Sequence, residues 1–179
     1  MKTSTEIPAI YQKCHEQFGV DWDKGLAITY GDTVYSKFPL APDVAVHEAV
    51  HIEQQKKIGA ENWWNEYLSS PAFRLLQEIE AYRAQVSFIK KTVKDRNTVF
   101  LLIRKLAFDL SGPMYGGLMS PIKAREIIIS NQMHKCPQCE NMTSRVAASG
   151  LCLFCERKLP PDEQEKLKNF SVNKEPYQP

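Results

Sequence analysis

Apolar and polar positions follow two rhythms along this chain, and their changes mark out its elements. Apolar residues predict a helix over 7–18. "LAITYGDTVYSKF" predicts two strands, over 26–30 and 33–38, joined at Gly31-Asp32, a two-residue loop that suits a hairpin turn. "APDVAVHEAVHIEQQKKIG" predicts a helix with Pro42 at its start and Gly59 at its end, the asymmetry that backbone hydrogen bonding favours. A short helix carries Trp63, Trp64 and Tyr67. Another opens at Ser70-Pro71 and sets Leu75, Ile79, Tyr82, Val86 and Ile89 on one stripe. "NTVFLLIRKLAFDL" predicts a further helix, which stops at the Gly- and Pro-rich "SGPMYGG". "SPIKAREIII" begins the next, with Ser120 as N-cap and Pro121 at its first position. Beyond it the composition changes: cysteines gather and apolar bulk falls. "SVNKEPYQP" reads as a disordered tail. The pattern predicts an α+β, mostly helical fold. A domain over 1–132 carries a short antiparallel sheet, a small finger and following helix occupy 133–170, and a tail covers 171–179.

One helix breaks its own pattern. In "DVAVHEAVHIEQQ" two histidines and a glutamate interrupt Val, Ala and Ile. Val44, Ala45, Val46, Ala49, Val50 and Ile52 predict burial on most sides of this helix. On a helix His47 and His51 lie about 40° apart and about 6 Å along the axis, so both imidazoles reach one metal ion from the same face. Glu48 stands to one side, placed to reach a water held by the metal rather than the metal itself. That geometry assigns two nitrogen ligands and one general base. A buried carboxylate with no partner would cost several kcal/mol or take up a proton, and a bound metal with its water supplies the partner.

"HEAVHIEQQ" followed by "EIEAY" resembles the zincin metallopeptidases of the glutamate-zincin branch, and is similar to small zincin-like domains of phage and bacterial genomes. The resemblance covers about 26–85, with weaker support as far as "MYGGLMS". It implies a third ligand from a glutamate on the next long helix, followed three positions later by a small residue. Glu78 and Glu80 are the candidates, and two residues apart they cannot face the same metal. Glu78 has Ala81 three positions on and lies beside Leu75, Tyr82 and Gln85. Glu80 lies on a more solvated face, as a surface carboxylate would. Glu78 is therefore the expected ligand. Many members of the branch place an aspartate four residues after that ligand to orient the first histidine, and here Tyr82 stands there, which leaves the histidine's orienting partner open. The metzincin pattern fails, because Gln54 and Lys57 stand where it needs Gly and His.

The resemblance implies peptide hydrolysis: zinc polarises the scissile carbonyl and acidifies its water, and Glu48 takes the proton and passes it to the leaving amine. It implies that the strand over 33–38 is an edge strand that holds an extended substrate by added-strand pairing. It also implies a group that steadies the oxyanion. Tyr115, in the Gly-rich loop, is a candidate, beside the plainer reading of a tyrosine that packs its loop.

Cys136 and Cys139 form one C-x-x-C pair, Cys152 and Cys155 a second, with a loop between long enough to fold back. Four thiolates at this spacing predict a structural zinc site with no open position, similar to zinc ribbons and treble-clef fingers. The expected cofactors are thus two Zn2+, one catalytic and one structural. Cys14, the fifth cysteine, reads as a buried apolar residue.

The 179 residues allow one core, or one core and a satellite. A net charge of +2 makes nucleic acid an unlikely partner, and the finger is expected to dock a protein. "MKTSTEIPAI" has no signal-peptide apolar region, and Arg104 and Lys105 break the longest apolar run, so the expectation is a soluble, cytoplasmic protein with no membrane partner (in the host cytoplasm or the virion if phage-encoded). Two functions compete: a zinc metallopeptidase acting on a peptide or protein, and a catalytically quiescent assembly protein in which zinc is a staple. The intact Glu48 favours the first, since a staple needs no general base, while Tyr82 in place of the aspartate leans toward the second.

Overall fold

The computed structural model describes residues 1–130, 134–135 and 142–143. The chain divides into two compact units, Met1–Ser130 and Asn131–Pro179. Among the described residues the fold is α+β and mostly helical, with six α-helices and a small three-stranded sheet in the first unit. The second unit shows a short antiparallel pair, His134–Lys135 with Met142–Thr143. Cys136, Cys139, Cys152 and Cys155, with the predicted finger and tail, lie outside the described residues. No described helix is long and apolar enough to cross a membrane.

The first unit begins with β1 (Lys2–Ser4), then α1 (Tyr11–Phe18), β2 (Ala27–Tyr30) and β3 (Thr33–Ser36). The predicted hairpin forms: β2 and β3 pair antiparallel, and Gly31 at the turn takes φ +62°, a conformation that glycine adopts without steric cost. Two expectations are corrected. The first helix starts at Tyr11 rather than at residue 7, after a turn in which Tyr11 N–H donates to the Pro8 carbonyl. The strand at 33–36 is also not an edge. It is the centre of the sheet, because β1 pairs with it in parallel on its other side, Thr3 opposite Val34. β1 carries only Lys, Thr and Ser, with no apolar alternation to announce it. The free edge of β3 recruits it, and Lys2 reaches Asp32 across the turn at 2.7 Å.

Four more helices complete the frame. α2 (Pro42–Ile58) starts on Pro42, as predicted, and ends at Gly59, whose φ of +84° turns the chain into α3 (Ala60–Ser69). α4 (Pro71–Thr92) is capped by Ser70, whose hydroxyl accepts from Phe73 N–H. α5 (Arg96–Leu110) is capped in the same way by Asp95, and α6 (Pro121–Ile129) by Ser120. The predicted stripe of α4 is buried throughout, from Leu75 to Ile89, and forms one core with Ile103, Leu106 and Leu110 of α5 and Ile128 of α6. A second core joins α1, β2 and α3 through Cys14, Ile28, Trp63, Trp64 and Tyr67. α2 lies against both α4 and β2.

α2 overturns the burial expected of it. Its buried residues are His47, Glu48, His51, Ile52, Gln54 and Gln55, while Val44, Ala45, Val46, Ala49 and Val50 are only half-buried. The helix turns its polar face inward. Such a face is tolerable only if every polar atom finds a partner, and no described buried side-chain N or O lacks one.

Candidate metal centre

His47 and His51 leave the same face of α2, one turn apart, and Glu78 meets them from α4. His51 Nε2 lies 3.1 Å from His47 Nε2. Glu78 Oε2 lies 3.3 Å from His47 Nε2, and Glu78 Oε1 lies 3.4 Å from His51 Nε2. All three residues are buried, and together they form a group that could hold a metal ion.

The partners on the far side of each ring fix its tautomer. His47 Nδ1–H donates to Gln85 Oε1 at 3.1 Å, and Gln85 Nε2 donates to Asp43 Oδ2 at 2.9 Å. His51 Nδ1–H donates to Gln54 Oε1 at 2.8 Å, and Gln54 Nε2 donates to Glu80 Oε2 and to the Gln77 carbonyl. In each relay a carboxylate takes the amide N–H, so the amide oxygen must face the imidazole. Both rings therefore carry hydrogen on Nδ1 and turn an Nε2 lone pair inward. Two lone pairs and a carboxylate converging in a buried site repel one another unless a cation sits between them. Ligand atoms about 2.0–2.1 Å from a tetrahedral zinc stand about 3.3–3.4 Å apart; here one atom from each residue lies within 4.8 Å of the others, and each histidine Nε2 has a Glu78 oxygen at 3.3–3.4 Å.

Burial opposes a charge on His47, but Glu78 outweighs it and raises the imidazole above its ordinary pKa. Burial likewise opposes the Glu78 carboxylate, yet His51 and His47 bring it down to about 2. Tyr67 assists, its hydroxyl donating to Glu78 Oε1 at 2.7 Å.

The other candidates fall around this centre. Glu48 is buried, and its Oε2 accepts from Thr29 Oγ1 at 2.7 Å. It lines one pocket with His47, His51 and Glu78. Glu80 is exposed and touches the centre only through Gln54. Tyr82 does not replace the expected aspartate. It packs edge-on against His47, ring centroids 4.7 Å apart, and Gln85, two turns beyond Glu78, orients that histidine instead. Tyr115 lies in the short 3-10 turn Pro113–Tyr115 and lines the same pocket. Its hydroxyl is in hydrogen-bonding contact with that of Tyr82, and burial, then Glu78, push its pKa well above ordinary, so it remains a donor.

Sequence reasoning missed the supports: Thr29, Tyr67, Arg74 and the orienting role of Gln54 and Gln85. Arg74, one turn before Glu78, is buried; its Nε donates to the Met114 carbonyl at 2.7 Å and its Nη1 to the Tyr67 carbonyl. It thereby ties down the residues that carry Tyr115 and Tyr67. A signal was available for the glutamines alone, which share the helical faces of His51 and Glu78. Compared with protein-family models, with curated proteins and with solved structures, the chain matches none of them.

Proposed function

We propose that this chain is a zinc-dependent metallopeptidase, in which His47, His51 and Glu78 hold the metal and Glu48 is the general base. A bound zinc supplies Lewis-acid polarisation of the scissile carbonyl and an acidified water. Glu48 takes a proton from the attacking water and returns it to the leaving amine. Thr29 holds one of its oxygens, so the carboxylate enters the reaction already oriented. Tyr115 donates to the carbonyl oxygen as negative charge develops there. Gln85 and Gln54 hold the hydrogen on Nδ1 of each ring, so that each Nε2 is aimed inward as the metal-binding atom.

The observation that carries this reading is the convergence of two imidazole Nε2 atoms and both oxygens of one carboxylate, with neighbouring atoms 3.1–3.4 Å apart and the Glu48 carboxylate lining the same pocket. A second zinc, held by Cys136, Cys139, Cys152 and Cys155, is structural, and the finger it organises docks a protein partner. The test is cleavage of a peptide library with and without chelator, sequencing the new termini. Glu48→Gln keeps the side chain's shape but cannot accept the proton, so zinc content should persist while turnover falls about 10²-fold or more. Chelator-sensitive cleavage undiminished in Glu48→Gln would remove the general base. If zinc only staples an assembly protein, wild type and variant behave alike and neither cleaves.

A further inference from the structure

We infer that the substrate of this centre is short: a chain end or small amide that presents one apolar side chain of about leucine to phenylalanine size, not a polypeptide running through the site as an added strand. This rests on the hydrolytic reading above and narrows it.

The first ground is the sheet edge. β2 borders the pocket with Ala27, Ile28 and Thr29, and it is an edge strand. An incoming strand would pair with its outward carbonyls and N–H groups. Those groups are already engaged at one end. The Thr29 carbonyl accepts from Gln55 Nε2 at 2.9 Å and from Trp64 Nε1 at 3.1 Å, which uses both lone pairs. Gly31 N–H donates to Gln55 Oε1 at 2.8 Å. The Gln55 carboxamide thus occupies the carbonyl and the N–H that bracket Tyr30, as one residue of a parallel neighbour would. Gln55 is 1% exposed and Trp64 6% exposed, so neither is a loose flap. Displacing them would strand buried polar groups. An extended chain therefore cannot pair along the whole of this edge, which is closed from the Thr29 carbonyl to Gly31.

The second ground is the pocket. Its volume is about 140 Å³, close to that of an apolar cavity that holds one benzene. Beyond the metal-binding group its wall includes Cys14, Val20, Leu26, Trp64 and Met114. Cys14 keeps its proton at neutral pH, since burial pushes its thiol up to about 11. Apart from Glu48, the wall beyond the metal-binding group carries no charged side chain. A single apolar group fits its size and its chemistry.

Three hydroxamate probes test this on the full-length, zinc-loaded protein by calorimetry: acetohydroxamic acid, 4-methylpentanohydroxamic acid, and a peptidyl hydroxamate carrying the same terminal group plus three residues. The branched chain should improve affinity over acetohydroxamate at least tenfold, and the three added residues should change it less than threefold. Cys14→Phe, which fills the pocket, should abolish the tenfold gain while zinc content stays unchanged. If that variant fails to fold, Val20→Trp at the half-buried rim serves in its place. Equal affinity of the two short probes overturns the apolar subsite. A tenfold or greater gain from the added residues overturns the short substrate. Acetohydroxamate binding that needs zinc and vanishes in His51→Ala reports the centre independently of the pocket. If the wild type shows no such binding, the hydrolytic reading fails and this inference fails with it.

Discussion

Gln85 Oε1 lies 3.1 Å from His47 Nδ1, so an amide rather than a carboxylate orients this histidine. Asp43 on α2 completes the relay by accepting from the same amide at 2.9 Å. A neutral orienting group fixes the tautomer without adding charge beside the imidazole. Gln85→Leu preserves bulk but removes the acceptor, and metal affinity should fall about 10–100-fold. Asp43→Asn should cost less, because the amide loses only its charged partner. Competition with a chromogenic chelator measures both, and wild-type affinity in Gln85→Leu would show that packing against Tyr82 alone orients His47.

Glu78 and Glu80 should separate cleanly in the same assay. Glu78→Ala removes the proposed buried ligand and leaves two facing imidazoles, so binding at the helix centre should be largely lost. Glu80→Ala disturbs only the amide of Gln54, which keeps its bond to the Gln77 carbonyl. Its effect should stay below about tenfold. Comparable losses in the two variants would mean that Glu80 does more than hold Gln54.

Metal content tests the proposal of two zinc centres. The purified chain should hold two zinc equivalents, and His51→Ala should hold one. Replacing Cys136 and Cys139 by serine should remove the other and leave the helix centre loaded. Retention of both ions by His51→Ala would exclude His51 as a ligand.

The metal-free centre should impose a stability optimum between about pH 4.5 and 6.5. Glu78 has its folded pKa depressed to about 2 from an ordinary 4.5, so its stabilisation is complete above 4.5 and drains away as pH falls toward 2. The size is about 3 kcal/mol. His47 is raised from an ordinary 6.5, so its contribution is present below that value and is lost as pH rises through the folded pKa. The two describe one ion pair and do not add. Zinc reverses the upper limb: ligands must be deprotonated to bind it, so stabilisation by zinc grows with pH. Thermal melts from pH 3 to 8, with and without chelator, should show both limbs. Glu78→Gln should flatten the acid limb, and an unchanged limb would assign it to other carboxylates.

What could be read along the chain was whatever depends on near neighbours in sequence. The four-residue interval sets His47 and His51 on one face, because helical geometry is local. Ser70-Pro71 and Ser120-Pro121 start helices through the bond of one hydroxyl to a backbone N–H three residues on. The choice of Glu78 over Glu80 followed from the stripe of Leu75 and Tyr82, and a stripe shows in sequence because one core covers it.

Only the tertiary structure decided which residues from distant segments meet. β1 has no pattern of its own, and it exists because β3 leaves an edge to pair, which in turn moves β3 to the centre. The apolar residues of α2 promised burial on most sides, yet the half-buried ones are Val44, Ala45, Val46, Ala49 and Val50. The buried face instead carries Glu48 and Gln55 against Thr29, and Gln54 against α4. Polar residues hold such a face only where their partners arrive from other elements, and a hydrophobicity pattern cannot register a partner 19 to 42 residues away. Tyr67, Arg74 and Tyr115 follow the same rule. Each is an ordinary residue of its own segment, and the packing of α3, α4 and the turn at Tyr115 gives it a place at the centre.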